Sequence, residues 1–247
     1  MLRFATFIIA MMAMSGIAGA QSFPADILNT PVDGSVASWI IRTFGLLTVL
    51  SVAPGILIMV TSFPRFVIAF AILRSGMGLA TTPSNMIMVS LALFMTFYVM
   101  APTFDRAWSD GIDPLLKNEI SETEAMQRMS EPFREFMLAN TRDKDLQLFI
   151  DIAREKGQTV VVDEKVDLRA VVPAFMISEI RRGFEIGFLI MLPFLVIDLI
   201  VASVLISMGM FMLPPVMIST PFKILLFVLV DGWHLVCESL VTSFVSA

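Results

Sequence analysis

Few ionisable residues fall inside the apolar stretches of this chain, and any chemistry would reside in them. Glu179, Arg182 and Glu185 follow one another at i,i+3 helical spacing. That spacing puts alternating charges on one helix face and predicts an ion ladder. Gly183 and Gly187 lie beside them, four residues apart, a small-xxx-small pattern that admits another helix at close range. The cluster reads either as an inter-subunit seam or as a solvated membrane-boundary turn with surface ion pairs. Asp198 stands in an otherwise apolar run. It reads as a proton or ion relay, or as a structural partner of Lys223 or Arg182. Lys223 and Asp231 give a later apolar stretch a polar edge, expected to pair with other helices.

None of these residues has the companions that catalysis needs. A single cysteine, Cys237, cannot close an internal disulfide, and a single histidine, His234, cannot build a His/Cys metal cluster. The same counts argue against a Ser–His or Cys–His hydrolase of ordinary layout. There is no G-x-x-x-x-G-K-[ST] phosphate loop, and no paired-carboxylate or Ser–Lys motif of an intramembrane protease. We therefore expect no catalytic residues, no metal, no cofactor and no enzymatic activity. With 17 basic against 22 acidic residues, the net charge of −5 supplies no basic field for nucleic acid.

The segment SMGMFMLPP at 207–215 has a different character. Gly209 and Pro214-Pro215 end a helix, which puts Met208, Met210, Phe211 and Met212 on a turn. Methionine is flexible and polarizable, so it fills irregular gaps and still moves. The turn reads as a hydrophobic loop buried between helices, or, repeated around a ring, as a soft apolar gasket.

The elements that must position these residues follow from composition. The chain is 57% AVILMFWYC and 16% DEKR, with mean hydropathy +0.83. Soluble domains run at about 45–50% apolar and about 25% charged, so an ordinary soluble globule is excluded. Residues 105–170 hold 25 of the 39 charged residues, which isolates them as a polar insert. The apolar runs around that insert are imperfect. Residues 44–60 contain Pro54-Gly55, 66–73 lie between Arg65 and Arg74, and 86–101 are slightly short. Residues 186–208 contain Pro193 and Asp198, and 221–241 contain Lys223, Asp231 and Glu238. Each charge facing lipid costs about 2.5–3.5 kcal/mol, so these helices are expected to face protein in an obligate assembly.

The expected fold is an all-α membrane protein of two helical hairpins with kinked or broken helices and an inserted, mainly helical extracytoplasmic domain. The first hairpin is assigned to 44–104, the charged periplasmic domain to 105–170, and the second hairpin to 171–247 with its loop at 208–215. Within the insert, Ser121-x-x-Glu124 is a capping box. Met126, Met129, Phe133, Phe136 and Met137 predict one apolar stripe, and Leu146, Phe149, Ile150 and Ala153 another. Gly157 is the expected stop, and 159–162 a short extended piece. Residues 1–20 read as a cleaved signal peptide, with Arg3 before an apolar core and Ala18-Gly19-Ala20 at its end. Residues 21–43 would be an N-terminal periplasmic segment. Positive-inside topology then puts Arg65 and Arg74 in a cytoplasmic connection.

Two motifs add a family. PAFMISEIRRGFEIGF at 173–188 and PFKILLFVLVDGWHL at 221–235, together with the leader and the charged middle, resemble the FliP family. Its members are export-gate membrane proteins of flagellar and virulence type III secretion. The resemblance runs from about residue 40 to the end and is weakest in 105–170. It implies a bacterial inner-membrane protein of the flagellar basal body. Copies of the chain would assemble with two smaller membrane proteins, FliQ-like and FliR-like, and contact larger FlhA-like and FlhB-like components. Unfolded secreted substrates would pass through the centre, with membrane lipid around the assembly. The resemblance also implies that a methionine-rich loop, here Met208, Met210, Phe211 and Met212, closes the resting pore. Phe211 departs from the more purely methionine run of the family. The competing expectation is a secondary transporter or ion-channel subunit that uses Asp198.

Overall fold

Pro64 fills the first turn of a helix without cost, because the N–H it lacks would have had no partner there. That helix, α1 (Phe63–Gly76), buries Arg65, Phe66, Ala69, Phe70, Leu73 and Gly76, and the chain turns away at Gly78 with φ +75°. Arg65 and Arg74 both belong to α1, a helix that lies between the 44–60 and 86–101 runs. The connection is 77–84, which carries no charge. The structure, a computed structural model, describes residues 58–79, 81–157, 161–162 and 165–245, with isolated positions between 43 and 55. The expected signal peptide, nearly all of the 21–43 segment and about half of the 44–60 run lie outside the described residues.

After the connection, the Ser84 hydroxyl accepts from Ile87 N and starts α2 (Asn85–Ala107). Val67, Phe70 and Arg74 of α1 line a small recess with Asn85, Met88 and Val89 of α2. α2 passes through a π-helical turn at Trp108–Ile112 into one turn of helix, α3 (Asp113–Leu116). The Ser121 hydroxyl then accepts from Glu124 N at 3.3 Å and opens α4 (Glu122–Asn140). Its inward face is Ala125, Met129, Pro132, Phe133, Phe136 and Met137, while Met126 is 68% exposed. Four of the five expected stripe residues therefore face inward, and Met126 does not. Gly111 lies so close to this face that a Cβ there would stand 3.1 Å from Ala125 O and 2.3 Å from Met129 Cγ.

Leu146, Phe149, Ile150 and Ala153 all face inward on α5 (Asp143–Glu155), and Gly157 follows with φ +67°. A two-residue antiparallel ribbon pairs β1 (Val161–Val162) with β2 (Lys165–Val166). The Asp167 carboxylate accepts from Arg169 N and caps α6 (Leu168–Ser207). α6 is one helix of 40 residues that runs on through Pro173 and Pro193, about 60 Å long at 1.5 Å per residue. Helices α7 (Pro215–Leu229) and α8 (Gly232–Val245) follow, bent by 66° at their break. Asp231 makes that corner with φ +50°, and the Phe227 ring lies 2.3 Å from where a Gly232 Cβ would be.

Two cores share α6. Phe66, Phe70, Leu73, Ala92, Phe194, Phe227 and Leu240 join α1, α2, α6, α7 and α8. Met137, Val171 and Phe175, with Phe133, Phe136 and Leu146 against them, form the core of the charged segment. By length and composition two stretches suit a membrane crossing, Asn85–Leu116 and Leu168–Ser207, and the bent α7–α8 pair is a third if taken as one span.

Candidate functional site

Three polar or flexible features lie along α6 in order. The first is at Ser178 and Glu179, both fully buried. Arg65 Nε donates to Glu179 Oε2 at 2.9 Å, and Nη2 donates to Oε1, so the pair is bidentate. Nη1 donates to Ser243 O at 3.1 Å and to Ser243 Oγ at 2.8 Å, and the guanidinium lies 3.5 Å from the centre of the Phe244 ring. The neighbouring Ser178 hydroxyl donates to Asp145 Oδ2 at 2.6 Å and accepts from Arg142 N at 3.1 Å. Arg142 itself clasps Asp145 through both Nε and Nη2. Burial alone would raise the Asp145 carboxyl, but the Ser178 hydroxyl and the Arg142 guanidinium outweigh it and hold that group below the usual carboxylate range.

This arrangement replaces the expected ladder. Glu179 turns to Arg65 and Glu185 pairs with Arg181 at 2.6 Å, four residues away. Arg182 remains close enough for its charge to act on Arg65 and Glu179. Gly183 and Gly187 do admit a helix, and it is α1 of the same chain. A Cβ on Gly183 would come within 3.0 Å of Ile68, and one on Gly187 within 2.6 Å of Ile72.

The second feature is at Asp198. Its Oδ2 accepts from Lys223 Nζ at 2.6 Å and its Oδ1 from Ser219 Oγ at 2.6 Å. Lys223 Nζ also donates to Gly76 O at 2.9 Å, and its side chain is only 2% exposed. That carbonyl is one that the end of α1 leaves without a helical partner, where a cation is favoured. Three helices are thus pinned at one point. Asp231 is exposed at the α7–α8 corner and does not join them.

The third feature is the turn after α6. Gly209 takes φ +75°, and Met210 N donates to Leu205 O, closing the helix end. The side chains of Met208, Phe211 and Met212 are exposed, Met212 at 97%, and Met210 is at 39%. Among the described residues, then, the helices of this chain leave Met208, Phe211 and Met212 largely uncovered and cover more than half of Met210.

Sequence reasoning missed Arg65, Ser178, Ser219 and Phe244 as partners. A signal existed for two of them. Arg65 shares a helical face with Ala69 and Leu73, which are both buried, and Ser219 lies one turn before Lys223.

The FliP family model matches residues 46–240. The chain belongs to the FliP family. The protein named flagellar biosynthetic protein FliP in Rhizobium meliloti is 92% identical over 99% of this chain and all of its own length. The protein of the same name in Agrobacterium fabrum is 72% identical over 99% of this chain and all of its own length. The one in Bacillus subtilis is 53% identical over 81% of this chain and 89% of its own. The divergent relative keeps over half its residues in common across most of the chain, which extends the match well beyond the two motifs.

Proposed function

We propose that this FliP-family chain is a core subunit of the flagellar type III protein export gate in the bacterial inner membrane. Copies of it, with FliQ-like and FliR-like subunits, form a pore for unfolded export substrates, and FlhA-like and FlhB-like components adjoin it. Residues 1–20 direct the N-terminus out of the cytoplasm and are removed. Residues 105–170 form the periplasmic domain between two hairpins. The subunit performs no covalent chemistry.

The observation that carries this reading is the 208–212 turn. Four long apolar side chains stand at the end of a helix about 60 Å long, three of them more than half exposed and Met210 partly so. Asp198 and Lys223 hold its two helices together below the turn. Ringed by symmetry-related copies, Met208, Met210, Phe211 and Met212 exclude water by dewetting. Their contacts are non-directional and their side chains adaptable, so they part around an extended chain of any sequence. Phe211 seals by area, and the methionines supply the give.

Replacing Met210 and Met212 together by alanine tests this. The expected result is raised ion conductance through the assembled gate, with assembly retained. Wild-type conductance and normal secretion in that double variant would remove the gasket. The relay reading of Asp198 has less support, because both of its oxygens are already engaged by Lys223 and Ser219.

A further inference from the structure

Arg65 uses its whole guanidinium fork. One side grips Glu179 of α6, and the other donates to the last turn of α8, at Ser243 O and Oγ. Phe244 lies against the flat face of the same group. That ring also meets Phe66 of α1 edge-on at 5.6 Å and stacks on Phe136 of α4 at 5.9 Å. Phe136 in turn packs on Phe175 of α6. A single buried cation thus joins α1, α6 and α8, and its aromatic platform reaches the core of the charged segment. Neutralising Glu179 alone would require only a point charge. Satisfying the Ser243 carbonyl and hydroxyl together with a stacked ring requires a planar fork with donors on both sides.

We infer that Arg65 is a positioning residue of the gate, pinning the last turn of α8 and with it the bent α7–α8 pair. The inference rests on the export-gate reading for its consequence, though not for its geometry. With the pin in place, α7 is held at its middle by Lys223 on Asp198 and, through the far end of α8, by Arg65. The turn at 208–212 enters α7 at Pro215, so its placement depends on both.

Arg65→Lys separates a pin from a mere counter-ion, because lysine keeps the charge for Glu179 and loses the fork. Cys237 reports the result. It lies on α8, half-buried against the main core, two turns before Ser243. In the gate particle extracted in mild detergent, Arg65→Lys is expected to speed alkylation of Cys237 by about tenfold, the change given by losing a hydrogen bond to a charged group from the docked state. Ion conductance should rise alongside it. Phe244→Leu keeps the apolar fill and removes the stacked ring, and it should move Cys237 in the same direction. It decides the matter if Arg65→Lys fails to assemble. Wild-type alkylation in every variant that assembles overturns the pin, whatever the export assay reads. Faster alkylation with unchanged conductance upholds the pin and counts instead against the 208–212 turn as the seal.

Discussion

Lys223 serves a carboxylate and a helix-end carbonyl at once with one ammonium. Lysine donates three N–H bonds and accepts none, so removing it leaves Gly76 O without its side-chain donor and Asp198 with Ser219 alone. Lys223→Met keeps the stem and deletes the charge. It should destabilise the extracted protein by about 3 kcal/mol, the low end for a broken buried pair, since Asp198 is partly open. Adding Asp198→Asn should recover much of that loss, because the unpaired charge is then gone as well. Thermal unfolding midpoints of the two variants check the order. A relay predicts something else, that the double variant stays dead for transport however stable it is. Export restored along with stability would therefore dismiss the relay and keep the anchor.

At the scale of elements, α5 is held to α6 by a clamp that pH can open. Asp145 sits below its ordinary range, so its charged form stabilises the folded state. That contribution is complete above the unfolded value of about 3.9 and is lost as pH falls through the lower folded value. Denaturant midpoints of the protein should thus be insensitive to Asp145 above about pH 5 and fall below about pH 4. Asp145→Asn should flatten that acid limb relative to the parent, and an unchanged limb would assign the acid sensitivity elsewhere. Much of this element structure was legible in the chain. The Ser121 cap, the α5 stripe and the Gly157 stop are local signals, and local signals survive folding. The α4 stripe was legible at four of its five residues; Met126 is exposed, and Ala125, close to Gly111 of another element, is buried in its place. The partner of Arg65 was hidden for the same kind of reason, since Glu179 is 114 residues away. The Gly183 and Gly187 pattern announced a close helix but not whose. Met208, Met210, Phe211 and Met212 were found as a turn, and which surface they face was not written in their spacing.

At the scale of the molecule, the question is what covers α6 and α7. Phe184, Phe188, Leu189, Leu199, Phe222 and Leu225 are all more than half exposed, an apolar surface too extensive for a protein left alone in water. Lipid would cover the apolar side chains from Ile186 onward, though not the partly open Asp198. It would not cover the turn of α6 just before, where Arg181 and Glu185 form an ion pair with both side chains more than half exposed. Desolvating that pair in hydrocarbon is expensive, so this part of the helix meets water or protein. An α6 of about 60 Å is also about twice the hydrocarbon thickness of a bilayer. A subunit among copies of itself satisfies all of these at once, with neighbours on the apolar face and the charged turn above the lipid. The native mass of the tagged protein, extracted from its own host in mild detergent, should therefore be that of several copies carrying small membrane partners. A stable monomer that keeps its fold in detergent would leave the exposed face to lipid alone. The Met208–Met212 side chains would then have no ring to close, and the export-gate reading would fall with them.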